Sequence, residues 1–323
     1  MNKLEKFLKP TQKKLYEMIR QMYKGHTLCC KKKFVLVYGE APVMLVAHMD
    51  TVHDEPVKDI CTTQDGNILM SPQGIGGDDR CGVYALVNAY DAAEKKPWLL
   101  FTCDEEIGGI GADSFCNKHE AGKLPKELDD LKLIIEIDRR GSEDAVYYSC
   151  DNKDFEAYIT SKGFRTASGS FSDISYIAPE LGVAAVNLSS GYYNAHTKHE
   201  YINRQQLDAV IARVNDIVAE ATQPDFPKYK YVERKVTILR RVFPYANDSS
   251  WWKTDKTDVV PTLHTEIPKD LPVKYKTMYD ELLDYYELTD LEAYREMYGN
   301  EVIEEIYRNE ICPQYNDGWE DLK

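Results

Sequence analysis

The sequence predicts an α/β fold: a mixed, mostly parallel central sheet sandwiched by helices, followed by a C-terminal extension. Three observations predict it. Several apolar runs lack a helical period, among them Pro42 to Ala47, Trp98 to Phe101 and Leu131 to Ile137. Such runs read as strands covered on both faces. They alternate with segments of helical spacing, as in a layered α/β domain. The composition then changes near Gln223-Pro224-Asp225-Phe226-Pro227, which predicts a principal domain over residues 1–224 and an extension over 225–323. With 323 residues, 43% hydrophobic and 29% charged, the chain suffices for one large domain plus an appendage.

From the N-terminus, Thr11 to Tyr23 carries Leu15, Ile19 and Met22 at helical spacing, which predicts an amphipathic helix. Lys31-Lys32-Lys33 reads as a solvated turn before a strand from Phe34 to Tyr38, not as a nucleic-acid patch. Val57 to Met70 has a turn signal at Asp65-Gly66-Asn67 and reads as a hairpin. Val83, Leu86, Val87 and Tyr90 follow helical spacing after a glycine-rich loop. Farther on, Ala145 to Tyr148 and Phe155 to Ile159 read as strands. Ser170 to Asp173 opens a short helix, and Gly182 to Leu188 is a further buried strand. Asn203 is placed to cap a long helix bearing Leu207, Val210, Ile211, Val214, Ile217 and Val218.

The extension is aromatic, acidic and proline-containing, with Trp251, Trp252, Pro261, Pro268 and Pro272. Leu282, Leu283, Tyr286, Leu291, Tyr294 and Tyr298 predict acidic helices that pack on something. Most of the net charge of −14 falls in residues 276–323, and that balance disfavours nucleic acid as a partner. The eight cysteines lack zinc-finger spacing and read as reduced thiols. Met1 to Leu28 holds no apolar leader, and no apolar stretch approaches membrane length. The expectation is a cytoplasmic protein with no membrane partner; the oligomeric state is left open.

The chemistry sits where the apolar runs end. Phe101 leads into Cys103-Asp104-Glu105-Glu106-Ile107-Gly108-Gly109. Adjacent carboxylates at a strand end repel one another and lose hydration, so they call for a cation or protons. Ala47 leads into His48-Met49-Asp50, where residues two apart on an extended end point the same way and Asp50 can reach the His48 imidazole. Asp78-Asp79 follows Gly74, Gly76 and Gly77, and capping a helix needs only one of the two. Ile137 leads into Asp138, and a loop with Gly191 and Asn194 carries His196, His199 and Glu200. Singly, these read as an acidic loop, a buried His–Asp pair or a helix cap. Together they gather histidines and carboxylates at strand ends, where open α/β sheets build active sites.

The ordered set His48-x-Asp50, Gly77-Asp78-Asp79, Asp104-Glu105-Glu106-Ile107-Gly108 and His196-x-x-x-Glu200 resembles the zinc-dependent exopeptidase superfamily. That group includes bacterial leucyl aminopeptidases, peptidase T, carboxypeptidase G and acetylornithine deacetylase. The resemblance implies two divalent ions, Zn²⁺ with Co²⁺ or Mn²⁺ as alternatives, that activate a water. It implies that Asp78 bridges them, that His48 and Asp138 complete one site, and that Glu106 and His196 complete the other. Glu105 would be the general base and Asp50 would orient His48. The pattern selects His196 over His199, and it places an unusual peptide bond between Asp78 and Asp79, with Arg80 as local support. His26, His53, His119 and His264 are left as solvent-facing.

An aspartate at position 138 tilts the implied substrate toward short peptides with a free amino terminus, hence an aminopeptidase. A deacylase of N-acyl amino acids and a non-catalytic metal-binding protein are the alternatives. The intervals from His48 to Asp78 and from Asp138 to His196 leave no room for the lid domain that many relatives insert. Two readings of the extension stay open: it supplies part of the cleft wall instead, or it packs on the far side or binds a partner chain through its acidic face.

Overall fold

The structure, a computed structural model, describes residues 3–234 and, beyond them, residues 273–282 and positions 295, 300, 303, 304 and 307. In chain order the first elements are α1 (Glu5–Leu8), α2 (Gln12–Met22), β1 (Thr27–Cys30), β2 (Phe34–Val37), β3 (Val43–His48), β4 (Cys61–Thr62) and β5 (Ile68–Met70). Then come α3 (Gly77–Ala92), β6 (Trp98–Thr102), α4 (Ile110–Glu120), β7 (Leu133–Arg139), β8 (Asp144–Val146), α5 (Lys153–Ser161) and β9 (Arg165–Thr166). The series continues with α6 (Ile174–Leu181), β10 (Ala185–Ser189), β11 (Tyr192–Tyr193), β12 (Tyr201–Asn203), α7 (Arg204–Ala221) and α8 (Val273–Leu282).

An 8-stranded sheet runs in the order β1-β2-β6-β3-β7-β10-β8-β9. Its centre, β6-β3-β7-β10, is parallel, while β2 and β8 join it antiparallel. Alternation along the strands explains why both faces are covered. Val43, Leu45 and Ala47 face one core cluster together with α2, α3 and α7, whereas Met44 and Val46 face a second with Phe115 of α4 and Ile177 of α6. The predicted sandwich is what forms. A smaller antiparallel sheet, β11-β12-β5-β4, contains the expected hairpin.

Several helix signals act as anticipated. Thr11 accepts from Lys14 N at the start of α2, and Asn203 accepts from Gln206 N at the start of α7. Leu15 and Ile19 are buried, but Met22, at the end of α2, is 37% exposed. One expectation is overturned: Phe155 to Ile159 is not a strand but lies within α5, capped by Asn152. Phe155 and Ile159 are one helical turn apart and both fully buried, a spacing that a short apolar run shares with a strand.

The chain divides into Met1–Arg234 and Lys235–Lys323. Residues just past the compositional break stay with the first unit: Tyr229 N donates to Lys132 O at 2.8 Å, and Tyr158 rings contact Phe226 and Tyr229. In the second unit, α8 has Met278, Tyr279 and Leu282 buried. Trp251, Trp252, His264 and the remaining expected helix positions of the extension, Leu283, Tyr286, Leu291, Tyr294 and Tyr298, lie outside the described residues. Among the described residues no helix is long and apolar enough to cross a membrane, and seven cysteines are free.

Candidate metal centre

His48 closes β3, Asp138 stands near the end of β7, and Asp104, Glu105 and Glu106 follow β6. Parallel pairing of β3 with both neighbours, including His48 opposite Thr102, brings these ends level. Asn187 on β10 brackets the Asp138 backbone, accepting from its N at 2.9 Å and donating to its O at 3.2 Å. Asp78 and Asp79 enter α3 with non-helical backbone angles, and the peptide bond between them is cis. Gly82 lets this entrance lie close to β7, because a Cβ there would collide with Ile137 O and the Asp79 carboxylate. His196 comes from the loop after β11, where it adopts a left-handed φ of 63°.

Asp78 stands between two imidazoles. Its Oδ1 is 3.2 Å from His48 Nε2, and its Oδ2 is 3.3 Å from His196 Nε2. Asp138 Oδ1 lies 3.5 Å from His48 Nε2, and Glu106 Oε2 lies 3.2 Å from His196 Nε2. Thus His48, Asp78 and Asp138 form one ligand-competent group, and Asp78, Glu106 and His196 form another, with atoms of each group within 4.8 Å of one another. All five residues expected as ligands are brought together. Glu105 is buried beside them, its Oε2 4.0 Å from His48 Nε2, and with His48 and Glu106 it makes a third group of the same kind.

Asp50 ties the halves to each other. Its Oδ1 is 3.3 Å from His48 Nδ1, and its carboxylate accepts from the backbone N of Glu105 and Glu106, each at 3.1 Å. Burial pulls its carboxyl upward, but His48 and these two amides outweigh burial and hold it below the usual carboxylate range.

With the protein's own groups alone, the charges are poorly matched. Burial, reinforced by Asp138, Asp173 and Glu106, pushes Glu105 up to about 9, against the opposing His48. Burial and Asp78 raise Asp138 to about 7. Hydrogen bonds to Asp78 and Glu106 raise His196 to about 10. Burial works against a charged His48, yet Asp138 and Asp50 lift it well above its ordinary value. Asp78 is pulled up by burial but held below the usual range by His196 and His48. Acids that retain protons and imidazoles that gain them are the signature of carboxylates packed for cations.

Divalent ions fit the donor set. Each group offers one imidazole nitrogen and carboxylate oxygens, ligands suited to Zn²⁺, Co²⁺ or Mn²⁺. Asp78 presents a separate oxygen to each group, and Glu106 Oε1 is buried without a hydrogen-bond partner among the described residues.

Several supporting contacts escaped sequence reasoning, including those of Glu200, which the motif names without a role. Glu200 is fully buried and accepts from Gly76 N at 2.8 Å and Asp78 N at 2.9 Å, so it fixes the loop bearing Asp78. His53, expected in solvent, sits 2.8 Å from Glu200 Oε2 with its side chain only 10% exposed. His119, also expected in solvent, is partly buried against Glu180 at 2.7 Å. Both partners are far away in sequence. His26 is exposed as expected. Gln12 donates to Asp104 Oδ1 at 2.8 Å and accepts from Asp104 N at 3.0 Å, locking a residue with a left-handed φ of 61°. Behind the centre, Ser172 donates to Glu136 and Thr102 donates to Asp173, both carboxylates fully buried. Glu136 had a readable signal: it lies two residues before Asp138 on the same strand. Arg80 donates to Phe7 O and Pro10 O, which is local support as expected.

Neither a protein-family profile nor a curated protein sequence matches the chain. Solved structures do. A tripeptidase from Staphylococcus aureus aligns at 14% identity with a TM-score of 0.52, covering 68% of this chain and 97% of that one. An aminopeptidase PepT from Bacillus cereus aligns at 13% identity and TM-score 0.53, covering 69% and 98%. A TET aminopeptidase from a marine-sediment archaeon of the Thaumarchaeota gives 11% and 0.53, with 69% and 99% covered. The fold of this chain is therefore the one these exopeptidases share.

Proposed function

We propose that the protein is a two-metal hydrolase of amide bonds, an aminopeptidase acting on short peptides. The observation that carries this reading is Asp78, whose two oxygens each face a different histidine–carboxylate pair. Asp78 would bridge two ions, Zn²⁺ by preference, with His48 and Asp138 on one and Glu106 and His196 on the other. Bound there, such ions supply Lewis acidity toward the scissile carbonyl and lower the pKa of a water. Glu105 lies outside the two ligand groups that share Asp78, though it stands near enough to His48 and Glu106 to form a third, and this reading leaves it unligated. It takes the water's proton and delivers it to the leaving amine. Asp50 keeps the His48 ring in register and holds the Glu105–Glu106 backbone.

A deacylase of N-acyl amino acids would use the same centre with a different pocket, and Asp138 weighs toward peptides. A metal-binding protein without catalysis has no use for an unligated acid such as Glu105. Peptide is the proposed partner, not nucleic acid, and the cytoplasm the proposed location. Elemental analysis paired with a panel of unblocked di- and tripeptides and N-acyl amino acids tests the reading. Two metals and release of free amino acids from unblocked peptides are expected. Turnover of N-acyl amino acids alone would replace it with the deacylase.

A further inference from the structure

A cleft of about 550 Å³ opens beside the centre, between the N-terminal segment at Pro10 and Gln12, residues 50–57 and Glu106. Its charge is one-sided. Besides Asp50 and Glu106 of the centre, three further acids, Asp54, Glu55 and Asp104, line it, whereas Arg80 is the one permanent cation among its described lining residues. The Arg80 guanidinium is buried and turned to Phe7 O at 2.9 Å and Pro10 O at 2.7 Å. Of the three acids, Glu55 is engaged by Lys58 at 2.6 Å, and Asp104 takes a single side-chain donor, Gln12. A ligand here would meet uncompensated negative charge.

His53 gives that charge a direction. It lines this cleft and also a neighbouring one of about 490 Å³ that runs past His196 and Lys198. Gly74 leaves the room that its ring occupies, because a Cβ at Gly74 would collide with the ring at Nδ1, Cε1 and Nε2. Its Nε2 lies 2.8 Å from Glu200 Oε2, and Glu200 already accepts from two backbone amides. The carboxylate can only accept, so Nε2 carries a proton, and the tautomer with its lone pair on Nδ1 is the one in which the ring can accept a further N–H. Nδ1 has no partner among the described residues. The same Glu200 fixes Asp78, so Nδ1 is held at a set position relative to the bridging carboxylate.

On the basis of the peptidase reading, we infer that His53 contacts the substrate's α-ammonium group in this cleft. Nδ1 accepts one N–H, while Asp54 and Asp104 provide the opposing charge. The cleft then selects peptides with a free amino terminus over N-acylated ones, which lack the donor set and the charge. His53 is a specificity-determining residue, and Glu200 is the residue that positions it.

The test uses metal-loaded Glu105→Gln protein as a binding trap, titrated calorimetrically with leucyl-glycyl-glycine and with its N-acetyl form. The free peptide should bind at least about tenfold tighter, as a hydrogen bond to a charged group implies. Adding His53→Ala should erase about tenfold of that preference with both metals retained, and His53→Gln, whose amide oxygen can accept, should restore part of it. Equal binding of the two peptides, no binding of either, or equal weakening of both by His53→Ala would overturn the inference; the last result makes the ring only a brace for Glu200. Wild-type hydrolysis, run in parallel, separates the two claims. Peptide cleavage without amine preference leaves the function standing and removes the role of His53. Amine-selective binding without cleavage does the reverse.

Discussion

His48 and Asp138 stand at the ends of β3 and β7, and the His48 side chain is 1% exposed. His196 stands in a loop with a left-handed backbone, and its side chain is 56% exposed. The first pair is held by the sheet: strand register levels the two ends, Asn187 brackets Asp138, and Asp50 abuts the His48 ring. The second pair is held by loops, with Glu106 steadied through Asp50 and His196 through its own neighbours. The contrast separates a half set by strand register from a half set by loops. Asp78 is the exception, a single residue belonging to both.

Asp78→Ala therefore has the largest expected effect: both ions are lost together and activity with them, as elemental analysis and peptide assays would show. Retention of one ion at full occupancy would mean the halves are independent. Glu105→Gln comes next. Both metals should remain while turnover falls about 10²–10⁴-fold, the usual cost of losing a general base; near-normal turnover would move that role to another residue. Asp50→Asn probes the link between the halves. Losing a carboxylate partner of a ligating histidine typically costs about 10–100-fold in affinity. Competition with a chelator should show the loss first at the His48 half, and a uniform loss would place Asp50's main effect on the Glu105–Glu106 turn.

The same contrast governs what the sequence discloses. Strands buried on both faces, such as Leu133 to Ile137, announce themselves as unbroken apolar runs, and the acids at their ends stand out because nothing apolar explains them. His48, Glu106 and Asp138 stand out for that reason, whereas Asp78 is marked by the glycines before it and His196 is separated from His199 only by the motif resemblance. What stays hidden is set by contacts between distant segments. The Gln12–Asp104 lock spans 92 positions, and His53–Glu200 spans 147. Neither has a local pattern. Phe155 to Ile159 fails for another reason: its turn-spaced apolar residues fit a short strand equally well.

The last comparison sets the halves side by side in protein stripped of metal, and its loop half carries the smallest expected effect. His48→Ala leaves Asp50, Asp78 and Asp138 without their buried cation, and removing one partner of such a buried pair costs about 3–5 kcal/mol. His196→Ala also removes an imidazolium between two carboxylates, but that ring is more than half exposed, so screening reduces its contribution to about 1 kcal/mol or less. The sign with pH follows from the direction of its shift. His196 is raised to about 10 from an ordinary 6.5, so its stabilisation is fully present below pH 6.5 and lost as pH climbs through about 10. Denaturant midpoints of chelated wild type and His196→Ala should differ slightly at pH 6 and converge above pH 10. A His196→Ala penalty as large as that of His48→Ala would mean that the loop half, too, is part of what holds the fold.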